Sequence, residues 1–224
     1  MDYKNSFLLI RSSRRTLALE VKPDASLVVR APRRTPVDEV HRFIAKHSEW
    51  IDRKQMVALE RPRPSVKSFV EGEEFLFLGS MCRLCLVDTA SCDVDYDGRS
   101  LILATAAFPR AREMMIGWYK KQARKVFSER IDHYAPVMEC FPSIIRITSP
   151  ARRWGSCGAG GSINLNWKLI MAPLEVIDYL IVHELAHIRH RGHSREFWDF
   201  VKAFCPGYTR YQLWLKDHGH LLEI

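Results

Sequence analysis

At 224 residues, with 47% hydrophobic and 27% charged side chains, the chain has the composition of a soluble globular protein long enough for one packed domain and a smaller companion. No apolar run approaches the ~18–20 residues that cross a bilayer, and the opening stretch from Met1 to Arg15 carries no small-residue cleavage site, so neither a membrane span nor a secretory leader is expected and the compartment is read as cytoplasmic. A net charge of +8 favours anionic partners, nucleotide or nucleic acid among them, without specifying one.

From Phe7 to Arg30 apolar and polar residues alternate, with Leu17, Leu19 and Val21 before Pro23-Asp24 and Leu27 and Val29 after it, the pattern of a β-hairpin closed by Ala31-Pro32. Pro36 sits where a helix tolerates proline best, and Val40, Phe43, Ile44, His47, Trp50 and Ile51 recur at helical spacing, so one helix is predicted over 37–59. Arg61-Pro62-Arg63-Pro64 stops that helix and reads as a stiff linker. Short strands return at Phe75 to Leu78, Cys82 to Val87 and Leu101 to Ala104, with turns at Gly79 and Asp97-Gly98.

A long amphipathic helix with a basic outer face is predicted from Pro109 to Tyr134, on the spacing of Met115, Trp118, Tyr119, Gln122, Val126, Phe127 and Ile131. Ile144 to Ile147 reads as a strand, and the stretch from Ala151 to Trp167 as a glycine-rich loop followed by a strand. Pro173 opens a helix with an apolar face of Ile177, Leu180, Ile181, Leu185 and Ile188, which Gly192 ends. Ser194 is placed to cap a short helix through Phe204, and a last helix carries Tyr211, Leu213, Trp214 and Leu215. The fold class is therefore α+β, with a small β-rich region holding one helix over residues 1–104 and a second domain over 105–224.

Six cysteines at irregular spacing (Cys82, Cys85, Cys92, Cys140, Cys157, Cys205) are too sparse for a disulfide framework and read as reduced thiols. Cys82 and Cys85 form a CxxC, but it lies in an alternating strand-like stretch and no second pair follows at zinc-finger spacing, which argues against a structural metal there.

His183-Glu184-Leu185-Ala186-His187 is an HExxH within the helix that follows Pro173. Four-residue spacing puts both imidazoles on one face, one turn apart, converging on a single ion. Glu184 is turned around the helix so that it can hold a water without ligating the ion, the station of a general base for a hydrolase. The motif alone also arises by chance in helices. Here Tyr179, Leu180, Ile181, Val182, Leu185 and Ala186 make the helix a buried one, and buried His and Glu side chains need a partner that a metal supplies.

For a third ligand, His190 continues the same helical face, but three ligands along one straight helix do not surround an ion tetrahedrally. His193 follows Gly192, which can adopt the left-handed conformation that ends a helix and turns the chain back, and is preferred. A carboxylate from Glu196 or Glu223 stays open as an alternative.

These motifs resemble the YgjP-like metallopeptidases, relatives of the SprT-like and WLM zinc proteases. The resemblance rests on Arg153-Trp154-Gly155-Ser156-Cys157, Ile163-Asn164-Leu165-Asn166-Trp167, Ala172-Pro173, the HExxH, His193-Ser194, Phe197-Trp198 and the tail from Tyr208 to Leu215, with Arg14-Arg15-Thr16-Leu17 and Ala31-Pro32-Arg33 near the start. It covers most of the chain and implies a zincin-like catalytic domain, one Zn2+ per chain on His183, His187 and His193, and Glu184 as catalytic residue. It adds no substrate, and His190 stands where the metzincin pattern has glycine.

Five further residues are candidates for contact with a substrate: Arg153, Trp154, Asn164, Asn166 and Tyr208. Arg153, with Arg152, has the chemistry to stabilise an oxyanion or grip a phosphate, and Tyr208 to donate its hydroxyl to a tetrahedral intermediate. Trp154 suits a groove wall, although packing explains it as well. Asn164 and Asn166 alternate on a strand expected at a sheet edge, where an extended polypeptide would pair. Peptide-bond hydrolysis is the leading expectation, with nucleoside triphosphate pyrophosphohydrolysis and DNA-associated, SprT-like proteolysis as alternatives. The only glycine cluster near a phosphate-binding pattern, Gly158-Ala159-Gly160-Gly161, lacks the lysine and helix that a nucleotide loop requires.

Overall fold

Alternation in the first thirty residues does build a hairpin, but the hairpin is part of a larger sheet. A computed structural model describes residues 6–22, 24–60, 66–88, 93–150 and 153–224; the turn residue Pro23, the Arg61-Pro62-Arg63-Pro64 linker, Cys92 and Arg152 lie outside the described residues. The chain divides into two compact units, residues 1–63 and 64–224.

In the first unit β1 (Phe7–Ser12), β2 (Ala18–Val21) and β3 (Leu27–Pro32) form a sheet in the order β1-β3-β2. The hairpin pairs Val21 with Leu27, and β1 lies parallel to β3 from Phe7 opposite Leu27. Being central, β3 buries both faces, with Val28 and Val29 fully inaccessible. Its Leu27, Val29 and Ala31 pack with Val40 and Ile51 of two helices, α1 (Val37–Lys46) and α2 (Ser48–Glu60). The single helix expected over 37–59 is thus broken at His47. The His47 ring nitrogen Nδ1 sits 2.8 Å from the Phe43 carbonyl that the next turn would use, and its backbone N–H turns to Ile44 O at 3.0 Å instead.

The second unit opens with β4 (Glu74–Phe77), β5 (Ser80–Val87), β6 (Val94–Tyr96) and β7 (Ser100–Ala104), in the sheet order β4-β5-β7-β6. Cys82 and Cys85 are three apart on β5 and so point to opposite faces; Cys82 enters the core and no joint metal site forms. The domain boundary read at residues 104/105 differs from the compact units, because Phe75, Leu84, Leu101 and Leu103 of this sheet share one apolar core with the helices that follow. Those helices are α3 (Ala111–Met138), which buries Met115, Tyr119, Phe127 and Ile131, and α4 (Leu174–Arg189), which carries the HExxH.

Three contacts seat α4. The β4–β5 turn has positive φ at both Leu78 and Gly79, as a tight hairpin requires, and donates its two N–H groups to Ile170 O and Met171 O at 2.9 and 3.1 Å. A Cβ on Gly79 would lie 2.8 Å from the Pro173 Cα, so only glycine lets the sheet meet the start of α4 this closely. Arg130 of α3 grips Asp178 of α4 through both carboxylate oxygens at 2.6 and 2.8 Å, a charge-assisted bidentate pair.

A second sheet, β8 (Ile144–Thr148), β9 (Gly155–Cys157) and β10 (Ser162–Asn166), runs in the order β8-β10-β9, with β8 parallel and β9 antiparallel to the middle strand. Helices α5 (Arg195–Phe204) and α6 (Tyr208–His218) complete the unit. Among the described residues no helix is long and apolar enough to cross a membrane.

Candidate active site

Helix α4 is apolar on nearly every side: Ile177, Ile181, Val182, Leu185 and Ala186 are fully buried. It therefore holds the side chains it carries in fixed directions. His183 and His187 stand one turn apart with ring centroids 4.8 Å from each other. The helix ends at Arg189, and the chain returns to bring the His193 ring within 4.7 Å of His187 and 5.1 Å of His183. One nitrogen from each of the three histidines lies within 4.8 Å of the others, and His183 Nε2 and His193 Nε2 face each other at 3.2 Å. Among the described residues this is the one cluster with the geometry to hold a metal ion.

The turn that presents His193 differs from the one expected. Gly192 does not take a left-handed φ. His190, extended at φ −124° and ψ 105°, makes the exit instead, and its carbonyl lies 3.1 Å from His187 Nδ1. That bond places the Nδ1 proton of His187 on the backbone and leaves its Nε2 lone pair for the cluster, an orientation common in metal-binding histidines. The His190 ring packs toward Phe200 at 5.3 Å and takes no part. Nor do the two carboxylate alternatives: Glu196 accepts from Ser194 Oγ, and Glu223 pairs with Lys168.

Glu184 is only 4% exposed, and its Oε2 has no hydrogen-bond partner among the described residues. Burial pushes its carboxyl up to about 7, against a smaller opposing pull from the Arg153 charge. Burial, with lesser contributions from His187 and His193, pushes His183 down to about 3. The three imidazoles are thus neutral lone-pair donors near neutral pH, with a carboxylate alongside whose open oxygen is unsatisfied. This all-nitrogen donor set, completed by an open position, fits a catalytic zinc.

Of the five residues proposed for substrate contact, Trp154 lies beside Glu184 in the wall of a cavity of about 320 Å³, and exposed Arg153 acts on Glu184 through its charge. Asn164 and Asn166 sit on β10, which is the middle strand and not an edge. Their amides are spent inside the fold: Asn164 Nδ2 donates to Ser156 Oγ, and Asn166 Nδ2 donates to the Pro150 and Arg153 carbonyls while its Oδ1 caps Lys168 N. The edge belongs to the short strand β9, which packs against α4. Tyr208 stacks on Trp198 at 5.1 Å, and Trp198 stacks in turn on His193 at 5.6 Å.

Four further residues shape the site. Phe197 stacks on His187 at 4.6 Å, fixing that ring from the side away from the helix, and Trp198 does the same for His193. Their apolar pairing just after His193 was the sequence signal. Tyr179, four residues before His183 on the same helical face, meets its ring edge-on at 5.9 Å. Gly155 left no periodic trace, yet a Cβ there would lie 2.8 Å from both Cγ and Cδ of Glu184.

A family model described as "YgjP-like, metallopeptidase domain" matches residues 15–218. No curated protein matches the chain. Among solved structures, the metallopeptidase zymogen abylysin of Pyrococcus abyssi is similar at 21% identity and a TM-score of 0.37, covering 40% of this chain and 93% of its own. The zymogen jannalysin of Methanocaldococcus jannaschii is similar at 18% identity and a TM-score of 0.35, covering 39% and 90%.

Proposed function

The chain belongs to the YgjP-like metallopeptidase family, and from that premise we propose that it is a zinc-dependent peptidase in which His183, His187 and His193 hold one ion and Glu184 is the general base. One observation carries this: three imidazole nitrogens gather around a single point, and beside them lies a buried carboxylate with an unpartnered oxygen. A bound zinc would polarise the scissile carbonyl and acidify the attacking water.

The chain's own residues supply the rest. Glu184, with its carboxyl raised to about 7, is poised to accept a proton from the water and pass it to the leaving amine, because a base matched to the working pH exchanges protons in both directions. Gly155 leaves room for the Glu184 side chain against β9, and the unpaired edge of β9 offers backbone groups to an extended polypeptide. Tyr208, carried on the stack that holds His193, supplies a hydroxyl for the developing oxyanion. The cysteines among the described residues are free thiols, in keeping with a cytoplasmic protein.

The test is Glu184→Gln. Metal analysis is expected to find one zinc per chain in both forms, while cleavage of an unfolded protein substrate falls roughly 100-fold or more in the variant. Undiminished cleavage would remove Glu184 from the reaction, and zinc content unchanged in His183→Ala would remove the metal site.

A further inference from the structure

The cavity beside Glu184 is not accounted for by the metal or by the base. Its walls are apolar and come from four elements: Trp154 before β9, Tyr179 and Leu180 on α4, and Leu215 on α6. Tyr179, Leu180 and Leu215 are 4%, 6% and 9% exposed and form the floor, whereas Gln212 and Lys216 of α6 are exposed and stand at the rim. Trp154 is itself held in place, since its indole packs against Gly219 so closely that a Cβ there would lie 2.8 Å from Cζ2. The cavity is therefore a built feature with rigid walls.

Its position gives it a role. Gly155 and Glu184 line the same cavity, so it opens between the edge strand and the base. A polypeptide laid along β9 with its scissile carbonyl at the histidine cluster has one side chain, adjacent to the scissile bond, directed past Glu184. Successive side chains of an extended chain alternate in direction, so a single side chain enters. A space of about 320 Å³ with apolar floor and walls is filled by one large apolar side chain and left half-empty by alanine.

We infer that this cavity is the specificity pocket of the enzyme, that it selects a bulky apolar residue of the leucine or phenylalanine type next to the scissile bond, and that α6 controls its size through Gln212 and Leu215. The inference rests on the peptidase reading above.

The experiment uses a peptide series identical except for Ala, Leu or Phe beside the scissile bond. Binding is measured by calorimetry on zinc-loaded Glu184→Gln, and cleavage on the zinc-loaded wild-type chain. Roughly tenfold or greater preference for Leu and Phe over Ala is expected in both, the scale on which apolar pockets discriminate side-chain size. Gln212→Trp, at an exposed position that leaves the core untouched, is expected to narrow the mouth and abolish the preference; Leu215→Phe, which fills the floor, is expected to shift it toward Ala. Equal binding of all three peptides, or a preference unchanged in Gln212→Trp and Leu215→Phe, overturns the pocket. Cleavage without discrimination leaves the peptidase intact and removes only the pocket, whereas discriminating binding without cleavage keeps the pocket and removes the peptidase.

Discussion

The two halves of the histidine cluster are built differently. His183 and His187 ride on α4, a helix buried on nearly all sides and tied to α3 by the Arg130–Asp178 pair. His193 comes from an exposed corner, residues 190–194, where the chain leaves the helix through an extended His190 and the following cap, Ser194, donates to Glu196 and not to its own helix. Two ligands are thus fixed before any metal arrives, and the third is held by aromatic stacking on Phe197 and Trp198. A rigid pair gives the ion its address, and a looser third ligand closes around it.

The sharpest way to break that asymmetry is to remove the corner ligand. His193→Ala leaves two protein ligands and is expected to weaken zinc binding on the order of 1000-fold, a few kcal/mol out of the total for such sites. His190→Ala removes a ring that packs toward Phe200 and leaves the carbonyl that orients His187, so zinc affinity is expected to stay within about threefold. Chelator competition on the two variants measures both. Zinc loss in His190→Ala with retention in His193→Ala would reverse the assignment.

The rigid side is tested through its closest contact. Gly155→Ala places a methyl against Glu184, whose Cγ and Cδ would lie 2.8 Å away, so the carboxylate must move while the histidines need not. Turnover is expected to fall roughly 100-fold, the effect of a displacement near 1 Å in a positioned catalytic group. Zinc content should be unchanged. Loss of zinc and activity together would show that the whole helix had shifted.

Much of the rigid side was legible in the sequence, and little of the rest. The HExxH spacing and the apolar residues around it specify a buried helix and two ligands, because helical periodicity is local. The break at His47 was hidden, since Phe43, Ile44, His47 and Ile51 keep helical spacing across a turn that a side-chain hydrogen bond interrupts. Strand order was hidden because pairing is non-local: nothing in the alternation of Phe7 to Ser12 reveals that it runs parallel to β3. The same holds for β10, which alternates clearly but lies in the middle, while the true edge, β9, is three residues of Gly-Ser-Cys with no pattern at all.

A smaller effect separates the metal-free and loaded states of the buried helix. In metal-free protein the folded-state carboxyl of Glu184 is raised from an ordinary 4.5 to about 7, so the folded chain holds that proton more tightly than the unfolded chain. Its contribution to stability is present in full below about 4.5 and is lost as pH rises through 7. Glu184→Gln, which never ionises, does not suffer that loss. The melting temperature of the chelated variant relative to chelated wild type is therefore expected to rise between pH 5 and pH 8. A constant difference across that range would mean that the carboxylate is solvated when ionised.

The smallest effect expected lies at Gly192, and it distinguishes the two accounts of the corner. Had this glycine reversed the chain in a left-handed conformation, alanine there would cost about 1 kcal/mol and pull His193 away from the cluster. Gly192 has no positive φ, and a Cβ built on it meets nothing within 4 Å. Alanine at such a position loses less backbone entropy on folding than glycine does, which stabilises by about 0.4–1 kcal/mol. Gly192→Ala is expected to leave zinc affinity unchanged and to raise the melting temperature slightly in both chelated and loaded protein. A drop in zinc affinity with a lower melting temperature would restore glycine as the hinge and move the turn away from His190, whose extended backbone and carbonyl bond to His187 now make it.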